Sequence, residues 1–324
     1  MLFLARPVSV WYNTNRSSNI TAKLEKKREE KPMRLSVNER SYSRRSDGSR
    51  RTRRETLELA KAGGFDTVDF GLSSMERDHD DTGDHRAWIF AQREICDRLG
   101  LKVNQTHAPF FEGRPMPEGF RERLLECVED SAILGADCMV VHADTWYEAD
   151  YVQWDYPKVV QAVYEVYAPV VELAAKRGVK LAMETLHEWL GGLYHRMRLC
   201  SQIEELDEIV GRFPSDLVGV CWDFGHAAMV YKADQFKVMR RLQSKIIATH
   251  VHDNYIRHDD HAMPYQGSIC WDEGMRTLAE LGYAGDLTLE VNSGALPDGL
   301  LLPSARYARE VIGDLAARFG AYRK

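Results

Sequence analysis

"VVELAAKRGVKLAMETL" (170–186) contains the end of a helix, a stop and a strand within one short stretch. The helical pattern "VVQAVYEVYAPVVELAAKRG" (159–178) runs into Gly178, the residue type that takes the left-handed conformation closing a helix. "VKLAMET" (179–185) then alternates. Ala182 and Glu184 share one face, and Leu181 and Met183 share the other. Small residues beside a carboxylate suit the inside of a narrow ring of strands. Large apolar residues suit the side facing helices.

The same unit recurs along the chain. Strands are expected at 33–38, 66–70, 101–107, 137–143, 179–185, 217–223, 245–252 and 286–292. Helical patterns lie between them at 53–63, 86–100, 120–135 and 159–178, with a last one at 303–320. Gly64, Gly100, Gly135, Gly178 and Gly282 each stand where a helix should stop before the next strand. Eight strands alternating with eight helices predict an α/β fold, a single-domain (β/α)₈ barrel over 33–324. An open doubly wound sheet is the runner-up, but no G-x-G-x-x-G follows the first strand. Residues 1–32 are expected to be an N-terminal extension outside the barrel, without fixed structure.

Composition narrows the function. Hydrophobic residues make up 44% of the chain, ample for a large core. No apolar run approaches the roughly 18 residues a membrane span needs. Arg6 interrupts the apolar start and no small-residue cleavage site follows, so no secretory leader is expected. The six cysteines form no C-x-x-C pair and read as buried thiols of a cytoplasmic protein. Residues 1–54 carry 15 Lys/Arg against 5 Asp/Glu, and the remainder carries 28 against 44, a net charge of −16. An acidic body argues against a duplex-DNA footprint and so against nucleic acid as a partner. The basic cluster "KLEKKREEK" (23–31) reads as a solvated helix or tail.

Function in such a barrel gathers at the C-terminal ends of the strands. Strand three ends in His107, four in His142, five in Glu184, six in Asp223 with His226 in the turn, seven in His250 and eight in Glu290. A single histidine at a strand end is more often a hydrogen-bonded structural residue, and a single Glu a solvated one. Six in successive strands is another matter, because close carboxylates repel unless a cation compensates. Glu184, Asp223, His250 and Glu290 form the expected metal shell. Three carboxylates and an imidazole suit a divalent ion such as Mn²⁺, Zn²⁺, Co²⁺ or Mg²⁺. His107, His142, His226, Asp259 and His261 are expected to bind further metal or substrate hydroxyls. In "HVHDNYIRHDDH" (250–261), His258 and Asp260 are expected to face solvent, His252 lies beyond His250 with the same parity, and Asp253 caps the turn or touches substrate.

"LAMETL", "GVCWDFGHA" and "HVHDN…DDHAMPYQGSICWDEGMRTLAELGYAGDLTLE" resemble the xylose isomerase-like TIM-barrel superfamily over about residues 33 to 292. That superfamily includes sugar isomerases and epimerases, keto-inositol dehydratases and endonuclease IV. The epimerase branch implies one divalent ion on Glu184, Asp223, His250 and Glu290, with the two glutamates as catalytic acid/base pair and His226 on a substrate oxygen. The endonuclease IV branch implies up to three zinc ions on all nine positions, and this chain keeps all nine. It departs from the simplest epimerase pattern, where an arginine commonly follows the seventh strand; Arg257 is nearby without clear equivalence.

The expected activity is therefore a metal-dependent isomerase or epimerase of a small sugar, sugar acid or keto-sugar, acting through a metal-stabilised enediolate. The alternatives are a keto-cyclitol or sugar dehydratase, an endonuclease IV-like phosphodiesterase, and a non-catalytic barrel that would leave the ligand ring unexplained. Exposed helices on such barrels often pair, so a homo-oligomer is expected. Phe110, Phe111, Trp146, Tyr147, Trp154 and Trp189 could wall a sugar site or pack on neighbouring loops. "RRSDGSRRTRR" (44–54) follows strand one at the same mouth; such runs are more often solvated, but one or two of its arginines could hold a phosphate or carboxylate.

Overall fold

The eight predicted strands are all present in the computed structural model; seven are shorter than predicted, and the second keeps its length one residue later. The structure describes residues 33–78, 80–111, 116–143, 155–187, 189–191, 194–196, 198–293 and 296–323. The barrel strands are β1 (Leu35–Asn38), β2 (Thr67–Gly71), β3 (Lys102–His107), β4 (Cys138–Val141), β5 (Lys180–Glu184), β6 (Val218–Asp223), β7 (Ile246–His250) and β8 (Leu287–Leu289). Each pairs in parallel with its predecessor from β1 to β7, and β8 pairs with β1. A single bridge, Val251 to Leu289, closes the ring between β7 and β8. The Val251 N–H donates to the Thr288 carbonyl at 2.8 Å, and the Glu290 N–H donates to the Val251 carbonyl at 3.0 Å. The extension 1–32 and the cluster 23–31 lie outside the described residues.

The outer helices are α1 (Arg53–Gly63), α2 (His85–Leu99), α3 (Phe120–Leu134), α4 (Tyr156–Arg177), α5 (Ile203–Gly211), α6 (Phe224–Tyr231), α7 (Gln235–Met239), α8 (Trp271–Glu280) and α9 (Asp298–Tyr322). Gly64, Gly100, Gly135 and Gly178 cap their helices in the left-handed conformation. Gly282 takes that conformation one residue after the Leu281 cap. Thr52 and Glu55 start α1 with a reciprocal capping box. The sixth crossover departs from the one-helix expectation. It splits into α6 and α7 with 3₁₀ turns, broken where Lys232 and Gln243 take positive φ values of 53° and 51°. A short antiparallel hairpin, Trp189–Gly191 with Tyr194–Arg196, follows β5.

Side-chain parity sorts two cores. Leu181, Met183, Val220, Trp222, Leu287 and Leu289 face the helices in the large outer core. Cys138, Val140, Ala182, Cys221 and Ala248 fill the barrel axis as a separate small cluster. Small residues are needed there because side chains from several strands converge on one line. Five of the six cysteines are buried free thiols, as expected; Cys270, next to α8, is exposed. Among the described residues no helix is long and apolar enough to cross a membrane.

Candidate metal centre

Around the small axial cluster the barrel interior turns polar. Ser36 donates to Asn104 Oδ1 (2.7 Å), and Asn104 donates to Thr288 Oγ1 (3.0 Å). Thr288 in turn donates to Gln105 Oε1 (3.2 Å). Gln105 then meets Nε2 of His250 at 3.0 Å. This network supports a ring of acidic and imidazole groups at the C-terminal mouth.

Glu184 sits at the centre of that ring. Its Oε2 is 2.9 Å from His142 Nε2 and 3.3 Å from His107 Nε2. Its Oε1 is 3.2 Å from both His250 Nδ1 and His226 Nδ1. His250 Nδ1 is also 3.0 Å from Glu290 Oε2 and 3.6 Å from Asp223 Oδ2. Yet that nitrogen makes no well-directed hydrogen bond. An imidazole nitrogen aimed among three carboxylates without bonding any of them is placed as a cation ligand would be. One donor atom from each of Glu184, Asp223, His250 and Glu290 falls within 4.8 Å of the others.

Asp259 gathers the remaining histidines. Its Oδ2 is 3.2 Å from His226 Nε2 and 3.1 Å from His261 Nε2. His107, His226 and His261 turn Nδ1 to the carbonyls of Ala108 (3.0 Å), Thr185 (2.9 Å) and Glu290 (2.9 Å). A proton donated there leaves the Nε2 lone pair facing a carboxylate oxygen. Two electron pairs so placed repel unless a second proton or a cation lies between them. Fixing the far nitrogen on a carbonyl is also how proteins orient a metal-binding imidazole. The residues therefore fit a divalent ion, and the linked groups offer room for more than one.

The electrostatics reflect that demand for positive charge. Burial would raise the Glu184 carboxyl, but His250, His142 and His107 outweigh it and hold it well below the usual range. Asp223 is depressed against its burial by His226, His252 and His250. Burial likewise opposes a charge on His250, and Cys221, Glu290 and Glu184 outweigh it to raise it well above an ordinary histidine. His261 is raised to about 10 against its burial, by its hydrogen bond to Asp259 and the charge of Glu290. Asp69, fully buried behind His250, is pushed up to about 6 chiefly by desolvation.

All nine predicted residues are brought together at one mouth. The sequence reading missed two more. His252, placed only beyond His250, is fully buried with Nε2 3.0 Å from Asp223 Oδ1. His187 lies with His226 and Asp259 in a further ligand-type group. Burial and the adjacent His226 push it down to about 3, so it is neutral, the state that binds a metal. Gly225 makes room for His252, since a Cβ there would lie 1.9 Å from the ring's Cε1. His258 and Asp260 are exposed, as expected. Asp253 builds the turn: buried, it accepts from the N–H groups of Asn254, Tyr265 and Ile269 and from the Trp271 indole.

A cavity of about 370 Å³ opens beside the ring, lined by His107, His261 and Glu290 with Phe110 as an apolar contribution. Phe110 stacks on His142 with ring centres 4.5 Å apart. Phe111 is buried against Phe120 instead, so it packs the loop. Trp146, Tyr147, Trp154 and the side chain of Trp189 lie outside the described residues. A larger cavity, about 730 Å³, lies at the opposite end of the barrel. Its Arg34 is already paired with Asp137 and Asp286, at 2.7 and 2.8 Å. That end of such barrels serves stability rather than chemistry.

The fold agrees with comparisons to known proteins. The chain is 28% identical over 266 residues to the uncharacterised protein y4fM of Sinorhizobium fredii, covering 73% of this chain and 80% of that one. It is 29% identical over 209 residues to MJ1311 of Methanocaldococcus jannaschii, covering 61% and 67%. Among solved structures it superposes on a D-tagatose 3-epimerase-like protein with TM-score 0.67 and 21% identity, covering 89% of this chain and 99% of that one. An L-ribulose 3-epimerase gives TM-score 0.67 at 18% identity (90% and 96%). The IOLI protein with a bound zinc atom gives 0.66 at 20% (90% and 99%). At these identities the likeness is one of fold. The family profile for the xylose isomerase-like TIM barrel matches residues 57–313, and the chain belongs to that family.

Proposed function

We propose that the protein is a divalent-metal-dependent isomerase or epimerase of a sugar, sugar acid or keto-sugar, working by proton transfer through an enediolate. The observation that carries this reading is the closed group of Glu184, Asp223, His250 and Glu290 beside a cavity of about 370 Å³, a size suited to one small polar molecule. Structural neighbours described as a tagatose 3-epimerase-like protein, a ribulose epimerase and a zinc-binding protein support it.

The four residues would hold Mn²⁺, Zn²⁺, Co²⁺ or Mg²⁺. When bound, the ion supplies the positive charge that stabilises oxyanion character next to a carbon losing its proton. Glu184 and Glu290 are the acid/base pair in this reading, and their settings differ. Glu184 is enclosed, with imidazoles on both oxygens, whereas the Glu290 side chain is 21% exposed and borders the cavity. Glu290 therefore has the open face for taking a proton at its carboxylate. The Asn38 amide, 3.5 Å from Glu290 Oε1, orients it. His107, His142, His226, Asp259 and His261 would bind a second ion or substrate oxygens. Proton return to the neighbouring carbon isomerises, and return to the opposite face epimerises. Loss of hydroxide from the same species would make the enzyme a dehydratase.

A second reading has its own observation. Four further ligand-type groups lie beside the first: His107–Glu184–His250 and Asp223–His226–His252 share residues with it, and His187–His226–Asp259 and His252–Asp259–His261 are linked to it through His226 and His252. Several ions held this way would suit an endonuclease IV-like phosphodiesterase. Metal analysis of protein purified without chelator, paired with carbon-bound proton–deuterium exchange on ketoses and keto-cyclitols in D₂O, separates the two. Exchange supports the first reading. Cleavage of abasic-site DNA with no exchange on any sugar supports the second and overturns the first.

A further inference from the structure

We infer that the loop after β1 carries an anion-binding subsite built on Arg44, so that the substrate of the proposed reaction bears a phosphate or carboxylate away from the reacting carbons. The inference rests on the isomerase or epimerase reading for the word substrate. The subsite itself rests on the cavity.

The arginines of 44–54 divide by their partners. Arg45 pairs with Glu55 and, at 3.6 Å, with Asp298. Arg51 pairs with Asp298, and Arg53 with Glu39 and Asp78. These three tie the loop to the barrel. Arg40, which also borders the cavity, is paired with Asp78 at 3.2 Å. Arg44 lines the same cavity and has no acidic partner among the described residues. It is the cationic group of that wall whose charge is not already neutralised.

The position is built. Arg44 and Arg50 face each other across an antiparallel bridge, and Gly48 turns the hairpin with φ at 85°. The buried Arg51 guanidinium donates to the carbonyls of Tyr42 (3.1 Å) and Arg44 (2.5 Å). The Arg51 N–H donates to the Ser43 carbonyl at 2.8 Å. The backbone that presents Arg44 is therefore fixed before any ligand arrives, which lowers the ordering cost of binding. Ser41, Ser43 and Ser73 line the same cavity, and their hydroxyls make no hydrogen bond to a described residue. A guanidinium with adjacent hydroxyl donors is a receptor for a phosphate or carboxylate. The same cavity is lined by Glu290, His107 and His261. A cavity lined by both the acidic ring and an unpaired cation suits a molecule that is neutral and polyhydroxylic in one part and anionic in another.

The test is calorimetric binding to the metal-loaded full chain of D-fructose, D-fructose 6-phosphate and D-fructuronate, for the wild type, Arg44→Gln and Arg50→Gln. The expected result is at least tenfold tighter binding of one anionic sugar than of the neutral one. Whichever it is assigns phosphate or carboxylate. Arg44→Gln should bring the ratio to within about twofold, and Arg50→Gln, on the other strand of the hairpin, should keep it. Equal affinities, no measurable binding of either anionic sugar, or a preference that survives Arg44→Gln overturns the subsite. So does an Arg44→Gln effect confined to cleavage of abasic-site DNA, which would assign the arginine to a nucleic-acid phosphate. If the preference holds and Arg44→Gln removes it, yet no carbon-bound proton of any of the three sugars exchanges, the subsite stands and the proposed reaction falls.

Discussion

The side-chain amide of Gln105 lies 3.0 Å from Nε2 of His250, on the far side of the ring from the carboxylates that surround Nδ1. The Gln105 amide nitrogen faces Nε2 while its oxygen accepts from Thr288, so for Nδ1 to offer its lone pair to a cation the amide must turn over and present its oxygen to a protonated Nε2. Gln105 then fixes both tautomer and ring angle. We expect Gln105→Leu to weaken metal binding roughly 10–100-fold. Gln105→Glu, which can accept the same proton, should retain most of the affinity. Competition with a chromophoric chelator measures both, and wild-type affinity in Gln105→Leu would remove this role from the amide.

Glu290 and Glu184 should separate on substitution. Glu290→Gln leaves Glu184, Asp223 and His250 to hold an ion while removing the carboxylate that borders the cavity. Carbon-bound proton exchange should fall at least about 100-fold with metal still bound. Glu184→Gln removes the group that contacts His107, His142, His226 and His250, so bound metal itself should be lost. Metal content by mass spectrometry and exchange by NMR on the same samples read the two effects. Undiminished exchange in Glu290→Gln would exclude it as the base.

Asp253 should govern the loop that carries Asp259 and His261. Four donors converge on its buried carboxylate, including Trp271 Nε1 at 2.8 Å. Gly267 is required beside it, since a Cβ there would lie 2.2 Å from Asp253 Oδ1. Asp253→Ala strands those donors in the interior, and we expect a loss of roughly 3 kcal/mol. It should also lower the metal stoichiometry, because Asp259 and His261 lose their fixed position. A thermal melt and a metal count on the variant decide it; an unchanged melt would mean that water replaces the carboxylate.

The barrel and most of its mouth were legible because both follow from local rules. Period-two alternation set which residues face the axis, and the parity that put Ala182 with Glu184, and Cys221 with Asp223, is the parity found. His187 carried a signal that could have been read. Glu184-Thr-Leu-His187 repeats the spacing of Asp223-Phe-Gly-His226, with the histidine three residues past a strand-end carboxylate. His252 carried no such signal. It enters the site because Gly225, on another crossover, has no side chain, and that contact is tertiary. The arginine loop was opaque for the same reason. Which of its residues are spent on structure depends on Glu39, Asp78 and Asp298, far apart in sequence.

His85, at the start of α2, gives the stability a pH dependence that can be assigned. Its Nδ1 is 2.6 Å from Asp81 and its Nε2 3.0 Å from Asp130, with Trp88 stacked beside it. Burial opposes a charge on the ring, but the hydrogen bonds to Asp81 and Asp130 outweigh it and raise the histidine above its ordinary value. Burial raises Asp130 as well, against its bond to His85. The two shifts pull the pair in opposite senses. The histidine's direction is the better guide, because carboxylates on both ring nitrogens favour its doubly protonated form. A group whose folded-state value is raised contributes stability fully below its unfolded value, about 6.5 for histidine. That contribution is lost as pH rises through the folded value. His85→Gln should therefore cost about 2 kcal/mol near pH 6, and the gap in melting temperature from wild type should narrow on the alkaline side. Paired melts at several pH values measure that gap. A gap that stays constant or widens with rising pH would show that His85 is neutral in the folded protein.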